Sequence, residues 1–285
     1  MRPGFCFFSL FALLLTSCQV PSSLKQSSGQ DGQGSSYSQL LRFTGGLEAP
    51  TWDKVRPKSS IPGWDYDIDA TYFSIKTDEK VLAITFDDGP HGVNTPRLLD
   101  MLKKRKIKAT FYVVGNMVEY NPDILKRMIA EGHEIGNHTV THGTLSRMSD
   151  DALRKELRDA HDMIIEACGV APRSMRPPGG AIKNDQKKLM LKEFGYPTIL
   201  WSVDPEDWKK PGVATVTSRL VNGARPGGIL LVHDLHATTV DAMPSTFDQL
   251  LAKGYRFVTV TELIEMEMES RLQAAAEGGS GDSTE

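Results

Sequence analysis

The sequence predicts an α/β fold in which helices cover a parallel β-sheet that is either open or closed into a barrel. Short β-branched runs alternate with amphipathic stretches from about residue 80 onward, and this alternation is typical of parallel sheets. It spans roughly 200 residues, which suits a barrel of seven or eight units. The composition, 40% apolar and 24% charged in 285 residues, is that of an ordinary globular protein.

The first elements of this alternation are well delimited. We predict a strand at VLAITF (81–86), a helix at TPRLLDMLKKRK (95–106), a strand at KATFYVVG (108–115) and a helix at NPDILKRMIAEG (121–132). The second helix has clear start signals, because Asn121 suits the N-cap and Pro122 suits the first helical position.

The alternation continues toward the C-terminus. HEIGNH predicts a short strand that leads into a loop, and SDDALRKELRDAHDMIIEAC predicts a long helix capped by Ser149 or Asp150. The remaining predicted elements are a strand at PTILWSV (197–203), a helix near 214–223, a strand at GGILLVHD (227–234), a helix near 245–253, and a strand at YRFVTV (255–260) before a final helix.

The N-terminal segment predicts export and a lipid anchor. Arg2 precedes the apolar run FCFFSLFALLL, which is short for a membrane span but suits a secretory signal. The run ends in Leu-Thr-Ser-Cys, which resembles a bacterial lipobox with Cys18 as the lipidated residue. The alternative is an ordinary signal peptide with a chance cysteine. In a Gram-negative cell, Gln19 favours outer-membrane retention, facing the periplasm or the surface.

The chain therefore divides into five predicted segments. They are a signal peptide (1–17), the lipidated Cys18 with a flexible Ser/Gln/Gly-rich linker to residue 46, an irregular lead-in that packs on the barrel (47–79), a single catalytic domain (80–270) and a disordered tail (271–285). Because Cys6 leaves with the signal and Cys18 carries lipid, only Cys168 remains, and no intramolecular disulfide is expected. We expect a monomer.

Side chains that could bind a metal or transfer protons follow several predicted strands. Asp87 and Asp88 follow VLAITF, His138 and His142 follow the HEIGN strand, and His233 ends GGILLV. Two further groups, Arg176 in RPPGG and the acids Asp204 and Asp207 in DPEDW, hold corresponding positions. Because the C-terminal ends of parallel strands meet on one face, these groups are expected to share a site.

The segment HTVTH suggests a metal site. Its two histidines stand at i and i+4, so one helical turn would point both imidazoles the same way, a spacing that suits a tetrahedral metal with histidine ligands. Two surface histidines are the alternative. The motif lacks the Glu of HExxH, so a third ligand and a base must come from elsewhere, and TFDDGP can supply both.

The net charge of -3 and pI of about 6.2 argue against nucleic acid as a partner.

The order of these motifs resembles a known family. TFDDGP, HTVTH, RPPGG, DPEDW and LVH are similar to the five successive motifs of the NodB-homology polysaccharide deacetylases, carbohydrate esterase family 4. The resemblance covers about residues 78–265 and implies a single catalytic domain with a distorted (β/α) barrel.

The resemblance also implies a division of labour among these residues. Asp88, His138 and His142 correspond to the ligands of one divalent metal ion, with zinc favoured and cobalt or another ion as alternatives. Asp87 corresponds to the general base and Arg176 to its partner; His233 corresponds to the general acid and Asp207 to the carboxylate that orients it. The resemblance assigns substrate contacts to Pro178, Gly179, Trp208 and Leu231.

Gly179 is a departure from the family pattern, which usually has an aromatic residue there. We expect the change to leave the chemistry intact and to open one wall of the groove for a bulky or substituted glycan strand.

The implied function is metal-dependent N-deacetylation of N-acetylated amino sugars in a cell-envelope polymer, with peptidoglycan favoured by the predicted anchor. Chitin, poly-N-acetylglucosamine and O-acetyl esters are alternative substrates. A non-catalytic glycan-binding lipoprotein is the alternative from another functional class.

Overall fold

The computed structural model of the chain describes residues 70–278. The predicted signal peptide, Cys18, the linker and most of the lead-in, residues 47–69, lie outside the described residues, as do residues 279–285. No helix of the described part is long and apolar enough to cross a bilayer.

The described part is built from seven strands and eight α-helices. The strands are β1 (Thr71–Tyr72), β2 (Val81–Asp87), β3 (Thr110–Val113), β4 (Glu134–Asn137), β5 (Thr198–Ile199), β6 (Gly228–His233) and β7 (Arg256–Phe257). The helices are α1 (Asn94–Arg105), α2 (Gly115–Tyr120), α3 (Pro122–Ala130), α4 (Asp150–Cys168), α5 (Asn184–Phe194), α6 (Val213–Gly223), α7 (Ala237–Ala252) and α8 (Val260–Gly278).

The strands form a distorted barrel, as the family resemblance implied. The parallel order is β4, β3, β2, β6, with β7 also pairing with the start of β2. Single bridges connect Asn137 to Met175 and Met175 to Thr198, and a further bridge joins Val203 to Leu230 on β6. These bridges close the ring where regular strands are missing, and β1 pairs with β5 beside this gap.

Strand β2 lies between β3 and β6 in the sheet and is buried along its whole length. Leu82, Ile84 and Phe86 belong to the core that the outer helices share, whereas Val81 and Ala83 belong to a second core on the other face. Successive side chains alternate between faces, so Thr85 and Asp87 follow Ala83 on its face. That face changes from apolar to polar toward the C-terminal end of β2, where the predicted site begins.

Several predicted helix boundaries differ from the structure. Helices α2 and α5 were not predicted, and α7 begins at Ala237 instead of near residue 245, although its interior contains Pro244. Proline usually disrupts a helix interior, so local sequence gives a poor guide there. Helix α8 runs beyond residue 270 to Gly278, through an alanine-rich stretch of high helix propensity.

Candidate active site

The acidic turn, residues 87–90, connects the end of β2 to helix α1. Asp87 is the last residue of β2 and lies opposite Tyr112 on β3 and His233 on β6. Asp88 adopts a left-handed backbone conformation, with φ of 76°. Its amide donates to Tyr112 O at 3.2 Å, and Gly89 O accepts from the Val114 amide at 3.0 Å. The turn therefore directs two adjacent carboxylates into different surroundings.

The segment 138–142 is a loop, so the expectation of a helical turn is wrong for its backbone. Thr139 and His142 both have positive φ values, 68° and 58°. The Thr139 amide donates to Asn137 Oδ1, and the amides of Val140 and Thr141 donate to Glu156 of α4. These tertiary bonds replace helical ones, and the two imidazoles still converge, with ring centroids 5.0 Å apart.

Asp88, His138 and His142 form a candidate metal site. One potential ligand atom from each lies within 4.8 Å of the others. Asp88 Oδ1 is 3.4 Å from His138 Nε2 and 3.1 Å from His142 Nε2. Burial would raise the pKa of the Asp88 carboxyl, but the two imidazoles hold it well below its ordinary value.

The ligand atoms of these three side chains suit a divalent cation. His138 Nδ1 lies 2.6 Å from Arg176 O, and because a carbonyl only accepts, Nδ1 carries a proton and Nε2 is the nitrogen that can bind a metal. Asp88 Oδ1 is buried and has no hydrogen-bond partner within residues 70–278. A buried carboxylate oxygen without a hydrogen-bond partner beside two imidazole nitrogens is an arrangement that a metal ion satisfies, and two imidazoles with one carboxylate suit zinc.

Asp87 pairs with a buried arginine. Arg176 Nη1 donates to Asp87 Oδ1 at 2.7 Å, and both side chains are almost fully buried. The second oxygen, Oδ2, lies 3.7 Å from His138 Nε2, so it borders the candidate metal site. A buried carboxylate needs such a partner to stay ionised. Asp87 is thus a charged, oriented acceptor beside the metal ligands.

Hydrogen bonds and a contact with an aromatic ring hold the Arg176 guanidinium in place. It donates to Thr85 Oγ1 at 2.6 Å and to the carbonyls of Ile199 and Leu200 at 3.2 and 3.0 Å. Its Cζ atom lies 4.3 Å from the centroid of the Tyr112 ring, a cation–π distance. With these contacts fixed, the guanidinium cannot move away from Asp87, and it fixes the orientation of that carboxylate.

His233 and Asp207 form a second charged pair across the site. His233 Nδ1 lies 2.8 Å from Asp207 Oδ1, and the His233 amide donates to Asp207 Oδ2 at 2.9 Å. Thr239 Oγ1 also donates to Oδ2, at 2.8 Å. Burial would lower the pKa of His233, but the hydrogen bond and charge of Asp207 raise it to about 9. The imidazole is therefore a protonated acid at neutral pH.

The comparisons with known proteins agree with this geometry. The polysaccharide deacetylase family profile matches residues 74–199. A peptidoglycan-N-acetylglucosamine deacetylase of Bacillus cereus is 43% identical over 197 residues, which cover 67% of this chain and 92% of that protein. The chain belongs to the polysaccharide deacetylase family.

A second relative of this family has both a sequence and a solved structure. The peptidoglycan-N-acetylmuramic acid deacetylase PdaC of Bacillus subtilis is 41% identical over 193 residues, 68% of this chain but 40% of that protein. A PdaC structure superposes with a TM-score of 0.66 at 38% identity, covering 70% of this chain and 98% of the solved one. The deacetylase fold of this chain therefore matches a complete solved domain, although the PdaC chain itself is much longer.

The four predicted substrate-contact residues of this deacetylase fold differ in accessibility. Pro178 and Leu231 are buried, whereas Trp208 is 51% exposed. Leu231 stands two residues before His233 on β6, so both side chains share one face of the strand. Gly179 has a φ of 60°, and a Cβ atom there would meet no atom within 4 Å. The structure thus leaves open space at the position of the missing aromatic ring.

Two further polar residues of the deacetylase domain, Asp204 and His91, accept hydrogen bonds from backbone amides two or three residues away. Asp204 Oδ1 accepts from the Glu206 amide at 2.7 Å, as expected of a turn acid. His91 Nδ1 accepts from the amides of Val93 and Asn94 at the start of α1.

Sequence reasoning missed three residues that support the site. Glu156 holds the histidine loop and Thr239 holds Asp207, but neither belongs to a motif that signals this contact. Asp234 follows His233 directly and is fully buried. Burial, with the nearby charges of Asp88 and Asp87, raises its pKa to about 7. An acid placed directly after LVH was the available signal.

Proposed function

We propose that this chain is a metal-dependent N-deacetylase that removes acetyl groups from the N-acetylated amino sugars of peptidoglycan. One observation carries the proposal. The candidate metal ligands, the Asp87–Arg176 pair and the His233–Asp207 pair converge at one end of the barrel. This arrangement supports the proposal, because hydrolysis of an amide needs a proton acceptor for the attacking water and a proton donor for the departing amine.

The two ion pairs divide the proton transfers of the reaction. Asp87 takes a proton from the attacking water, and Arg176 keeps the carboxylate ionised and aimed through the 2.7 Å contact. The bond from carbonyl carbon to nitrogen then breaks, and His233 gives its proton to the departing amine. Asp207 keeps His233 charged before the transfer. The net reaction consumes one water and yields acetate and a free amino sugar.

A divalent metal held by Asp88, His138 and His142 would supply Lewis-acid polarisation of the acetyl carbonyl and of water. Zinc is the ion that the two-imidazole, one-carboxylate set favours, and cobalt fits the same donors. The protein holds one of these donors in place before any ion binds, since Arg176 O fixes His138 through its Nδ1 atom. Removal of the metal should therefore abolish turnover while leaving the fold intact.

The choice of polymer is supported by relatives. The Bacillus cereus relative is named for N-acetylglucosamine and PdaC for N-acetylmuramic acid, both in peptidoglycan. The predicted lipoprotein signal at residues 1–18 adds a second reason, because a chain anchored in the envelope through Cys18 would meet peptidoglycan. We propose that the linker to residue 46 tethers a monomeric catalytic domain to a bacterial membrane.

Acetate release tests the proposal. The purified domain, loaded with zinc, is incubated with peptidoglycan, chitin oligomers, poly-N-acetylglucosamine and an O-acetylated xylan. Mass spectrometry of digested peptidoglycan identifies the deacetylated sugar. We expect loss of acetyl groups, each 42 mass units by elementary composition, from glucosamine or muramic acid, abolished by Asp87→Asn. Faster release from O-acetylated xylan would favour an esterase, and zinc-loaded protein that binds glycan but releases no acetate would favour the binding module.

A further inference from the structure

Asp234 lies where two parts of the site meet. It follows His233 at the end of β6, and its carboxylate packs directly against Gly89, which follows the metal ligand Asp88. A Cβ atom added to Gly89 would overlap both carboxylate oxygens of Asp234. The Asp234 side chain is therefore the spacer between the acidic turn and the strand that carries the general acid.

Hydrogen bonds attach the acidic turn and the start of α1 to this spacer. Thr95 Oγ1, fully buried, donates to Asp234 Oδ2 and accepts from the His91 amide at 2.8 Å. Asn94 Nδ2 donates to Leu235 O, also at 2.8 Å. The segment from Gly89 to Thr95 thus wraps around residues 234 and 235 and is bonded to both.

Stability alone does not explain an acid at this position. Asp234 is fully buried, and its Oδ1 atom has no hydrogen-bond partner in the described part of the chain. A buried carboxylate oxygen without a donor is unfavourable. No arginine or lysine forms an ion pair with Asp234 among residues 70–278, in contrast to Asp87 with Arg176.

We propose that Asp234, acting through Thr95, is a positioning residue that sets the distance between the His233 imidazole and the metal-binding side chain of Asp88. The inference rests on the proposed function, because it concerns the spacing of two groups in that reaction. Misplacement of reacting groups by about 1 Å can cost two orders of magnitude in rate. The Asp234 side chain is fully buried and does not belong to the candidate metal ligands, so its removal should lower kcat and leave KM unchanged.

Thr95 offers the sharpest test, because its hydroxyl can be removed without changing side-chain size. In zinc-loaded protein, Thr95→Val should lower kcat about tenfold or more and change KM less than twofold. Thr95→Ser keeps the hydroxyl and should stay within about threefold of the wild-type kcat. Asp234→Ala, which removes both the spacer and the acceptor of the Thr95 hydroxyl, should lower kcat at least as much as Thr95→Val. A kcat within twofold of wild type in both Thr95→Val and Asp234→Ala, or an equal loss in Thr95→Ser, overturns the proposal.

Thr246→Val is the matched control. Thr246 is also a fully buried threonine, but its hydroxyl donates to Ala242 O within α7 at 2.9 Å. This variant should lower the melting temperature less than Thr95→Val, which also leaves Asp234 Oδ2 and the His91 amide without a partner, and it should leave kcat unchanged. A loss of kcat in Thr246→Val equal to that in Thr95→Val would show that general destabilisation explains the effect, and the proposal would fall.

A second readout needs neither metal nor activity. In metal-free protein, amide hydrogen exchange at His91 should accelerate in Thr95→Val, since the amide loses its acceptor, and should stay slow in Thr95→Ser. Unchanged exchange at His91 in Thr95→Val would contradict a stable hydrogen bond from the His91 amide to Thr95 Oγ1. If wild-type protein deacetylates no substrate, the proposed function fails, and this exchange measurement still reports separately whether Thr95 holds the turn.

Discussion

The charge of Asp207 controls when His233 can act as an acid. Asp207→Asn removes that charge from a buried position 2.8 Å from His233 Nδ1. The amide oxygen would keep the two donors at Oδ2, Thr239 Oγ1 and the His233 amide. Its NH₂ group then faces Nδ1, which disfavours a proton on that nitrogen. The variant should retain the fold and lose the positive charge of the imidazole.

The magnitude follows from the pKa of His233. That pKa is raised to about 9 from an ordinary value of 6.5, with burial lowering it and Asp207 raising it more. Asp87 and Asp88 also raise it, each by less than Asp207 does, so without Asp207 it should fall toward 6.5. At pH 8 the protonated fraction then drops from about nine-tenths to roughly 3%, about a 30-fold loss of the active acid. At pH 6 most of the imidazole would still be protonated if the variant pKa is about 6.5.

The assay is the pH dependence of kcat/KM for acetate release between pH 5.5 and 10. Wild-type activity should fall as the pH rises through about 9, because the protonated imidazole is the active form. In Asp207→Asn this fall should move down toward pH 6.5. Asp241→Asn is the matched control, since Asp241 forms an exposed ion pair with Arg97 at 2.7 Å on the outer helices.

Two results would refute the reasoning. If the kcat/KM of Asp207→Asn still falls near pH 9, Asp207 does not hold the charge on His233. If Asp241→Asn shifts the profile as much as Asp207→Asn, the shift comes from net charge and not from this pair.

Three further sets of variants test separate parts of the site. Asp88→Asn should weaken zinc binding in a chelator competition, whereas Asp87→Asn should keep zinc and lose turnover; similar zinc loss in both would contradict their separate tasks. Arg176→Met leaves the buried carboxylate of Asp87 without its partner and should cost about 3–5 kcal/mol in the free energy of unfolding, measured with denaturant; a cost under about 1 kcal/mol would contradict the pairing. Gly179→Tyr should reduce activity on intact polymer relative to short oligomers when compared with Gly179→Ala, which shares the cost of a positive φ; an unchanged preference would show that the open wall does not select substrate.

Residues that follow a strand directly were predictable from the sequence. Parallel strands bring their C-terminal ends to one face of a barrel, so the order of strands and motifs along the chain was enough to place Asp87, Asp88, His138 and His233 together. Strand β2 is an example: the residues before Asp87 form one continuous buried run, so Asp87 must lie at the C-terminal end of the strand.

The family resemblance supplied the Asp87–Arg176 and Asp207–His233 pairs, but the other contacts between distant segments were not predictable. Arg176 meets Thr85 across 91 residues of sequence separation, and its backbone carbonyl fixes the tautomer of His138. The histidine loop is non-helical because Glu156 binds its amides from the next helix, and nothing in HTVTH itself indicates this. The packing of Asp234 against Gly89 depends on the spacing of β2 and β6, which is a property of the whole fold and not of either segment.

Stoichiometric metal reconstitution tests the central claim most directly. Chelator-treated wild-type protein should release no acetate from peptidoglycan, and activity should return in proportion to added zinc until one ion is bound per chain. Asp88→Asn should show no recovery at the zinc concentration that saturates wild type. Acetate release that survives complete chelation, or equal recovery in Asp88→Asn, would contradict a metal-dependent deacetylase built on Asp88, His138 and His142.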